Sequence, residues 1–288
     1  MKFVQFPRSR FRSTLRLTVA SGWALACLLS LSAVIAAEPL AKGIQDNSFF
    51  IEEAYNQEPG VVQEINSFLH ASGAGDWLYV LTQEWPVGGI RNQLSYSFSF
   101  EHESDFNSTG LGDALVNYRF QAIGAGGGQV YFAPRLSVVL PTGRPESGRG
   151  NGAFGLQTNL PLTLMLTPRV STHFNAGVTV IPSAENPLGQ HATITTFNAG
   201  ASVIWLVRPL FNLVLEGVWV GNDDVVGAGV TERQSSVFVN PGIRGGINCC
   251  GGLQIVPGIA YTISLTDNDP DGLFLYLSFE HPFRKLQK

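Results

Sequence analysis

The feature that most constrains this chain is an alternation of apolar and polar residues that recurs from about residue 60 to residue 283. Val170 to Val180 shows it well, because Val, Thr, Phe and Ala hold the even positions, and Ser, His, Asn and Gly hold odd ones. Successive side chains of a β-strand point to opposite faces, so a period of two indicates strands with one apolar and one polar face. The chain is therefore predicted to be all-β.

The pattern predicts twelve strands, and the connections between them are alternately short and long. Short connections such as Val87-Gly88 alternate with longer polar ones such as Thr142 to Gly152. Short turns on one side and long loops on the other are typical of bacterial outer-membrane barrels. The predicted strands cover residues 60–70, 76–86, 89–102, 111–123, 128–141, 153–166, 169–182, 191–206, 209–220, 233–247, 252–265 and 272–283.

Composition favours the same class of protein. The sequence is 44% hydrophobic and only 14% charged, and it contains 32 glycines. After residue 37 no apolar run reaches the roughly 20 residues that a membrane-spanning helix needs. A β-structure in lipid must pair every backbone N–H and C=O internally, which requires a closed sheet. We therefore predict a transmembrane antiparallel β-barrel of about 12 strands, with its apolar face toward lipid.

Residues 1–37 have the order of a secretory signal peptide. Arg8, Arg10, Arg12 and Arg16 precede the uncharged segment 17–37, which ends in small residues before Glu38. This order predicts export and cleavage after residue 36 or 37, with an uncleaved N-terminal anchor as the alternative. Removal of residues 1–37 leaves 13 basic against 22 acidic residues. A net charge near −9 argues against a nucleic-acid partner, since binding phosphate requires a basic surface.

Four regions follow from these patterns: the signal peptide at 1–37, a leader at 38–59, the barrel at 60–283 and a short basic tail at 284–288. The leader lacks the period of two. One hypothesis is that it folds into the lumen as a hatch, with Phe49, Phe50 and Tyr55 as apolar contacts. The alternative is a periplasmic leader or a short surface helix.

Charged residues on the predicted polar face are the candidate residues of the lumen. One hypothesis is that they line a constriction that selects solutes by charge and size. The alternative is a set of cross-strand ion pairs that braces the wall, since buried charges need partners. The lumen candidates are Glu64, Arg91, Glu101, Asp113, Arg119, Arg135, His173, Glu216, Arg244 and Glu280.

Sequence signals for catalysis, metal binding or a cofactor are weak. The five histidines are not accompanied by a Gly-x-Ser-x-Gly motif, so a Ser–His–acid set is not indicated. Cys249 and Cys250 are adjacent and lack a second pair of ligands, which argues against a zinc site. They are interpreted as two small residues of a turn, with a vicinal disulfide as the alternative. We predict no enzyme activity, no metal and no cofactor.

Several short segments resemble one family of outer-membrane proteins, that of the meta-pathway of phenol degradation. Gly110-Leu111-Gly112-Asp113 and Asn117-Tyr118-Arg119 occur in order with Leu140-Pro141-Thr142-Gly143 and Phe174-Asn175-Ala176-Gly177. The resemblance covers roughly residues 45–283. It implies a barrel in the outer membrane of a Gram-negative bacterium that passes small hydrophobic or amphipathic compounds passively. The alternatives are a structural or adhesive barrel that acts through its long loops, or a lipid-modifying enzyme.

The end of the chain also resembles the targeting strand of outer-membrane barrels, which ends in an aromatic residue. Leu273, Leu275, Leu277 and Phe279 share one face, and Phe283 follows shortly before the terminus. This resemblance implies recognition by the barrel-assembly machinery. The expected partners are therefore outer-membrane lipid, a small solute and that machinery.

Overall fold

A computed structural model describes residues 43–45, 47–73, 75–267 and 269–283 of the chain. The predicted signal peptide, the start of the leader and the basic tail lie outside these residues. Within the described part, no helix is long and apolar enough to cross a membrane. The strands are β1 (Val61–Ala71), β2 (Trp77–Pro86), β3 (Asn92–Glu103), β4 (Ser108–Leu111 and Ala114–Phe120), β5 (Val130–Phe132 and Arg135–Leu140), β6 (Gly155–Asn159 and Leu162–Thr167), β7 (Val170–Glu185), β8 (His191–Arg208), β9 (Phe211–Gly227), β10 (Val230–Gly245 and Ile247–Asn248), β11 (Gln254–Ser264) and β12 (Gly272–Pro282).

The twelve strands of the described residues form a closed antiparallel barrel. Each strand pairs with its neighbours in sequence, and β1 closes the ring by pairing with β12 from Val61↔Pro282 to Ala71↔Gly272. Closure leaves no open edge, so the backbone groups of the wall are paired without water. The predicted fold class and the predicted strand number are confirmed.

Four strands are interrupted where the sequence contains a residue that disturbs a ladder. Pro134 interrupts β5 and Pro161 interrupts β6, because proline has no N–H to donate to a neighbouring strand. In β4 the interruption falls at Gly112-Asp113, and in β10 at Gly246. The alternation of faces predicts each of these strands but not its interruption.

The two faces of the wall differ as the alternation predicts. Large apolar side chains are exposed on the outside, as at Leu94, Phe98, Val116, Leu136, Leu215 and Leu275. The inner face carries buried polar residues at the intervening positions, among them Gln93, Asn117, Arg135, Gln157 and Asn240. Such an outside is stable against lipid, which does not hydrogen-bond, while the polar groups satisfy one another inside.

The barrel has a turn end and a loop end, named by the lengths of their connections. The turn end carries short connections such as Pro168-Arg169 and Pro209-Leu210, and the loop end carries the longest segment, residues 141–154. Cys249 and Cys250 lie at the turn end as free, exposed thiols.

One predicted long loop is wrong. Residues 221–232 were expected to be a loop because they are rich in Gly, Asn and Asp, yet β9 continues to Gly227 and β10 begins at Val230. Gly229 closes the connection with a φ of 71°. Asp223 pairs with Arg233, whose guanidinium donates hydrogen bonds to its carboxylate and holds the pKa of Asp223 below its usual range. Polar residues continue the hairpin here because it extends past the apolar outside of the barrel.

Candidate functional site: the lumen and the segment inside it

Residues 43–57, called here the inner segment, lie inside the turn-end half of the barrel. At one end of the segment, the Ile44 N–H donates to the Pro209 carbonyl in a turn at 2.8 Å. Near the other end, Asn56 Nδ2 donates to the Ile90 carbonyl of another turn at 2.9 Å. Most of the residues between them are buried, and none is helical in the described part. The segment therefore enters and leaves the lumen at the same end.

Glu216 on β9 binds three successive backbone N–H groups of the inner segment. Its Oε1 atom accepts hydrogen bonds from the N–H groups of Phe49, Phe50 and Ile51 at 3.0, 2.9 and 3.0 Å. Its Oε2 atom accepts another from Asn240 Nδ2 at 2.8 Å. A carboxylate that receives several backbone N–H groups makes charge-assisted hydrogen bonds, which are stronger than neutral ones. Glu216 is consequently a main anchor of the segment.

The rest of the segment is held by neutral side chains that succeed one another around the wall. Each accepts a hydrogen bond from a backbone N–H of the segment. Side-chain oxygens thus take the place that the backbone carbonyls of a partner strand would have. The pairs are Glu52 N–H to Asn175 Oδ1 (2.8 Å), Ala54 N–H to Thr163 Oγ1 (2.8 Å), Asn56 N–H to Gln121 Oε1 (2.9 Å) and Gln57 N–H to Gln93 Oε1 (2.7 Å). The acceptors belong to β7, β6, the end of β4 and β3.

Arg135 binds the one carboxylate that the segment offers to β5. Its Nε atom lies 2.9 Å from Glu52 Oε1 and 3.1 Å from Glu52 Oε2. The remaining guanidinium nitrogens donate to Asn117 and Gln157 of the wall, at 2.8 and 3.0 Å, and to Ser137. Both charges of the pair are buried, and the amides and the hydroxyl around Arg135 offset the cost of removing it from water.

Two further arginines bind backbone carbonyls of the segment. Arg119 donates to the carbonyls of Glu53 and Tyr55 at 3.3 and 2.7 Å, and lies 3.7 Å from Glu84. Arg244 donates to the carbonyls of Gln45 and Asn47 at 3.2 and 2.5 Å. The arginines of the wall therefore hold the segment in place.

The aromatic residues of the segment pack against the wall on the side of β8 to β12 and β1. The ring centroids of Phe49 and Phe274 are 5.4 Å apart, those of Phe49 and Tyr276 5.7 Å, and those of Phe50 and Phe274 4.7 Å. Ile51 completes this cluster, and all three segment residues are buried. The lumen thus has an apolar side, which takes residues 49–51, and a polar side, which takes residues 52–57.

Above the inner segment, the loop-end half of the lumen holds a second apolar group and a cavity. Leu115, Val139, Ile181, Ala184 and Ile194 form the apolar group. The cavity has a volume of about 270 Å³, and its lining includes the acids Glu101, Glu103, Asp105, Glu185 and Asp223. The same cavity is also lined by the apolar side chains of Phe106, Ile194 and Val225.

Asp113 fixes the long loop 141–154 over this half of the lumen. Its carboxylate accepts hydrogen bonds from the Gly143 N–H at 3.2 Å and from the N–H and Nδ2 of Asn151 at 2.8 and 3.0 Å. Arg149, in the same loop, donates to the Leu111 carbonyl at 3.0 Å. The loop therefore folds inward and narrows the mouth.

Most of the predicted lumen residues are buried on the inner face. They fall into a set that contacts or surrounds the inner segment and a set at the mouth, and His173 joins the first through Thr163, its Nδ1 lying 2.7 Å from the hydroxyl. Glu280 joins it through Gln63, whose Nε2 donates to it at 3.0 Å. The inward residues are Glu101, Asp113, Arg119, Arg135, His173, Glu216, Arg244 and Glu280.

Two predicted lumen residues are elsewhere. Glu64 lies between the buried residues Gln63 and Ile65, so its side chain is on the outer face, where Asn66 Nδ2 donates to it at 3.2 Å. Its placement inside was wrong because the inner face of β1 is apolar here and carries Ile65, which belongs to the same apolar cluster as Phe49 to Ile51. Arg91 is exposed in the turn before β3, which begins at Asn92 and not at residue 89.

Sequence reasoning missed the residues that bind most of the segment backbone. Asn175, Thr163, Gln121 and Gln93 are neutral, and only charged residues were selected as candidates. Glu52 was missed because the leader was searched for aromatic contacts alone. The signal that could have found them is the run of amides on the inner face of consecutive strands. Buried amides require hydrogen-bond partners, so such a run indicates that another part of the chain lies against it.

Comparison with known proteins identifies the family. The sequence matches the family model described as "Putative MetA-pathway of phenol degradation" over residues 52–247. No curated protein matches it. Among solved structures, the COG4313 outer membrane channel from Pseudomonas putida F1 aligns with a TM-score of 0.60 at 10% identity, covering 79% of this chain and 97% of that chain. At this identity the likeness shows a shared barrel fold.

A second solved structure, described as the CymD monoaromatic hydrocarbon channel, aligns with a TM-score of 0.40 at 10% identity over 79% of this chain and 90% of that one. This likeness is too distant to carry an argument. The family match includes Gly110 to Asp113 and the other segments on which the resemblance rested, so that resemblance is confirmed. Because the match spans more than half of the sequence, the chain belongs to the family of the MetA-pathway of phenol degradation.

Proposed function

We propose that the protein is an outer-membrane channel for the passive passage of small hydrophobic or amphipathic compounds, and that the inner segment closes it. The observation that carries this proposal is the inner segment itself, bound through Glu216 and Arg135 to a wall that is closed without it. A barrel braced only by pairs between its strands would not need a separate segment inside its lumen. The fold shared with a known outer membrane channel supports the same function.

The lining of the cavity favours uncharged or apolar solutes. Its acidic residues repel anions, and its apolar side chains Phe106, Ile194 and Val225 give a solute no hydrogen-bond partner. Sugars and anions are therefore poor candidates. The turn end faces the periplasm in this proposal, so the inner segment is the last obstacle on the way in.

Uptake of N-phenylnaphthylamine tests the channel function in whole cells. This apolar dye fluoresces once it has crossed the outer membrane. We expect Gram-negative cells that express the protein to take it up several-fold faster than cells with an empty vector. An equal rate at equal amounts of folded barrel, judged by heat-modifiable migration on a gel, would remove the support for a channel.

The adhesive and enzymatic alternatives have less support. The longest described loop, residues 141–154, makes hydrogen bonds to Asp113 and Leu111 inside the mouth. It is therefore poorly placed to bind a partner outside the barrel. The buried histidine His173 contacts Thr163 beneath the inner segment and does not line the cavity. We infer that the barrel acts without a catalytic step.

Assembly into the outer membrane is proposed to depend on Phe283. Its ring is 5.5 Å from that of Trp85 across the seam of the barrel, and its N–H donates to the Gly60 carbonyl at 2.9 Å. We expect Phe283→Ala to lower the amount of assembled barrel in the outer membrane, because recognition by the assembly machinery is weakened. Unchanged amounts in membrane fractions would argue against this role.

A further inference from the structure

The strongest unassigned feature of the lumen is the place that receives the ring of Phe49. Gly242 on β10 and Gly258 on β11 face inward beneath this ring. A Cβ atom built on Gly242 would lie 2.5 Å from Phe49 Cε2, and one built on Gly258 would lie 2.8 Å from Phe49 Cε1. A side chain at either position would overlap the ring, and at Gly242 it would also meet the neighbouring strand, because the same Cβ atom lies 2.6 Å from Ala260 Cβ and 2.7 Å from the Ile259 carbonyl oxygen. The two glycines therefore form a floor on which a flat ring can lie.

Backbone conformation does not explain these glycines. Both belong to strands, and neither has a positive φ. Glycine inside a strand weakens it and often marks the close approach of another group. At Gly258 the nearest approaching group is the phenyl ring, so this glycine is best explained as space left for it, whereas at Gly242 both the ring and the neighbouring strand exclude a side chain.

The strand register builds walls around the floor. Gly242 is paired with Val214 on one side and Ala260 on the other, while Gly258 is paired with Tyr276. Phe274 is paired with Ala260, and its ring meets that of Phe49 at an angle of 59°. Tyr276 meets Phe49 at 68°. Tilted and edge-on contacts of this kind are the favoured arrangements of aromatic rings. The result is a niche with the shape and chemistry of a binding site for one aromatic ring.

We propose that this niche is a solute site, that its ligand is a molecule with a single aromatic ring, and that Phe49 occupies it as an internal competitor. The inference rests on the proposed channel function, because the solute that occupies the niche is taken to be the one that passes through the channel. A solute in the niche excludes Phe49. Exclusion of Phe49 moves residues 49–51 away from the Glu216 carboxylate that binds their N–H groups, and so favours withdrawal of the inner segment. A ligand that binds only the withdrawn state shifts the population toward that state. The solute thus opens its own path.

The test measures binding of benzyl alcohol to the purified full-length barrel in detergent by saturation-transfer NMR. Phe49→Ala empties the niche, and we expect it to bind benzyl alcohol about ten-fold more tightly than the wild type does, because the internal competitor is gone. Phe49→Ala combined with Gly258→Leu refills the niche. This double variant should return the signal to the level of partition into the detergent alone.

Cyclohexylmethanol and 1-hexanol serve as ligand controls because they carry the same hydroxyl without an aromatic ring. We expect neither to distinguish Phe49→Ala from the double variant. Equal binding of benzyl alcohol by the two variants, or equal gains for all three alcohols in Phe49→Ala, would overturn the proposal. Heat-modifiable migration identifies folded barrel in each sample. Dye uptake by cells is measured separately, so a failed niche with intact uptake leaves the channel function standing, and a binding niche without uptake refutes the channel alone.

Discussion

Glu216 is the residue on which the docking of the inner segment depends most. It is buried, and its Oε1 atom receives three adjacent backbone N–H groups of the segment. Its inward orientation was predictable from the alternation along β9. Its partner was not, because sequence periodicity places a side chain on a face without indicating what fills the space opposite.

Glu216→Ala is expected to loosen the segment and leave the barrel closed. Loss of hydrogen bonds to a charged acceptor costs about 2 kcal/mol, which corresponds to a roughly 30-fold shift toward the undocked segment. Single-channel recording in planar bilayers should show longer or more frequent openings. Glu216→Gln keeps one oxygen acceptor and should give a smaller effect. Openings equal in both variants to those of the wild type would contradict the anchoring role.

The ion pair of Glu52 and Arg135 permits a quantitative test of coupling between segment and wall. Removing either partner leaves a buried charge behind, which costs about 3–5 kcal/mol, whereas removing both spares that penalty. In a cycle of Glu52→Ala, Arg135→Ala and the double variant, we expect the effects on open probability to be strongly non-additive. The pair of Asp223 and Arg233 at the loop end, whose side chains are 13% and 48% exposed, is the control away from the inner segment, and its cycle should be additive.

Residue positions were predictable wherever the period of two was clean. His173 and Asn175 on β7, and Ser95, Ser97 and Glu101 on β3, face inward as expected. Glu64 failed because polar side chains were assigned to the lumen, whereas the inner face of β1 carries Ile65 and Leu69, which belong to the apolar cluster around Phe49. The apolar side of the lumen reverses the rule at this strand.

At the scale of elements, strands and the inner segment follow different rules. A strand can be recognised in the sequence because one of its faces contacts lipid and the other faces the lumen. The inner segment meets the lumen on all sides, so its sequence shows an apolar block at residues 49–51 and a mainly polar block at residues 52–57, without a period of two. The hatch hypothesis could name Phe49 and Phe50, yet the arrangement of acceptors around the wall depends on the closed ring and is visible only in three dimensions.

Deletion of residues 43–57 is expected to raise conductance several-fold and to preserve the barrel. The pairing of β1 with β12 begins at Val61↔Pro282, beyond the deleted residues, so closure does not need them. Water can then solvate Arg119, Arg135 and Arg244. A segment of the same length and composition with scrambled order is the control for simple filling, and it should conduct nearly as well as the deletion. Closed behaviour of the scrambled variant would show that bulk and not specific contacts closes the lumen.

At the scale of the whole molecule, a closed wall surrounds a segment that is bound to it by side chains and is not part of it. The closed ring of twelve strands explains an exterior of residues such as Leu94 and Phe98, which only lipid tolerates. That much was predictable from sequence, because both backbone satisfaction and the alternation of faces demand it. Whether the lumen is open or closed depends on the difference in free energy between the docked and the undocked inner segment. The sequence pattern does not indicate this difference.

The measurement that tests the central claim most directly is conductance of a channel whose inner segment can be locked and released. Ser48 and Ser202 lie with their hydroxyl oxygens 2.6 Å apart, one on the segment and one on β8. Ser48→Cys with Ser202→Cys, in a background where Cys249 and Cys250 are replaced by serine, should form a disulfide on oxidation. We predict that the oxidised protein in planar bilayers stays closed and that reduction restores openings, whereas either single cysteine variant ignores the reductant. Equal conductance of the oxidised and reduced double variant, with the disulfide verified by mass spectrometry, would contradict the claim that movement of residues 43–57 opens the channel.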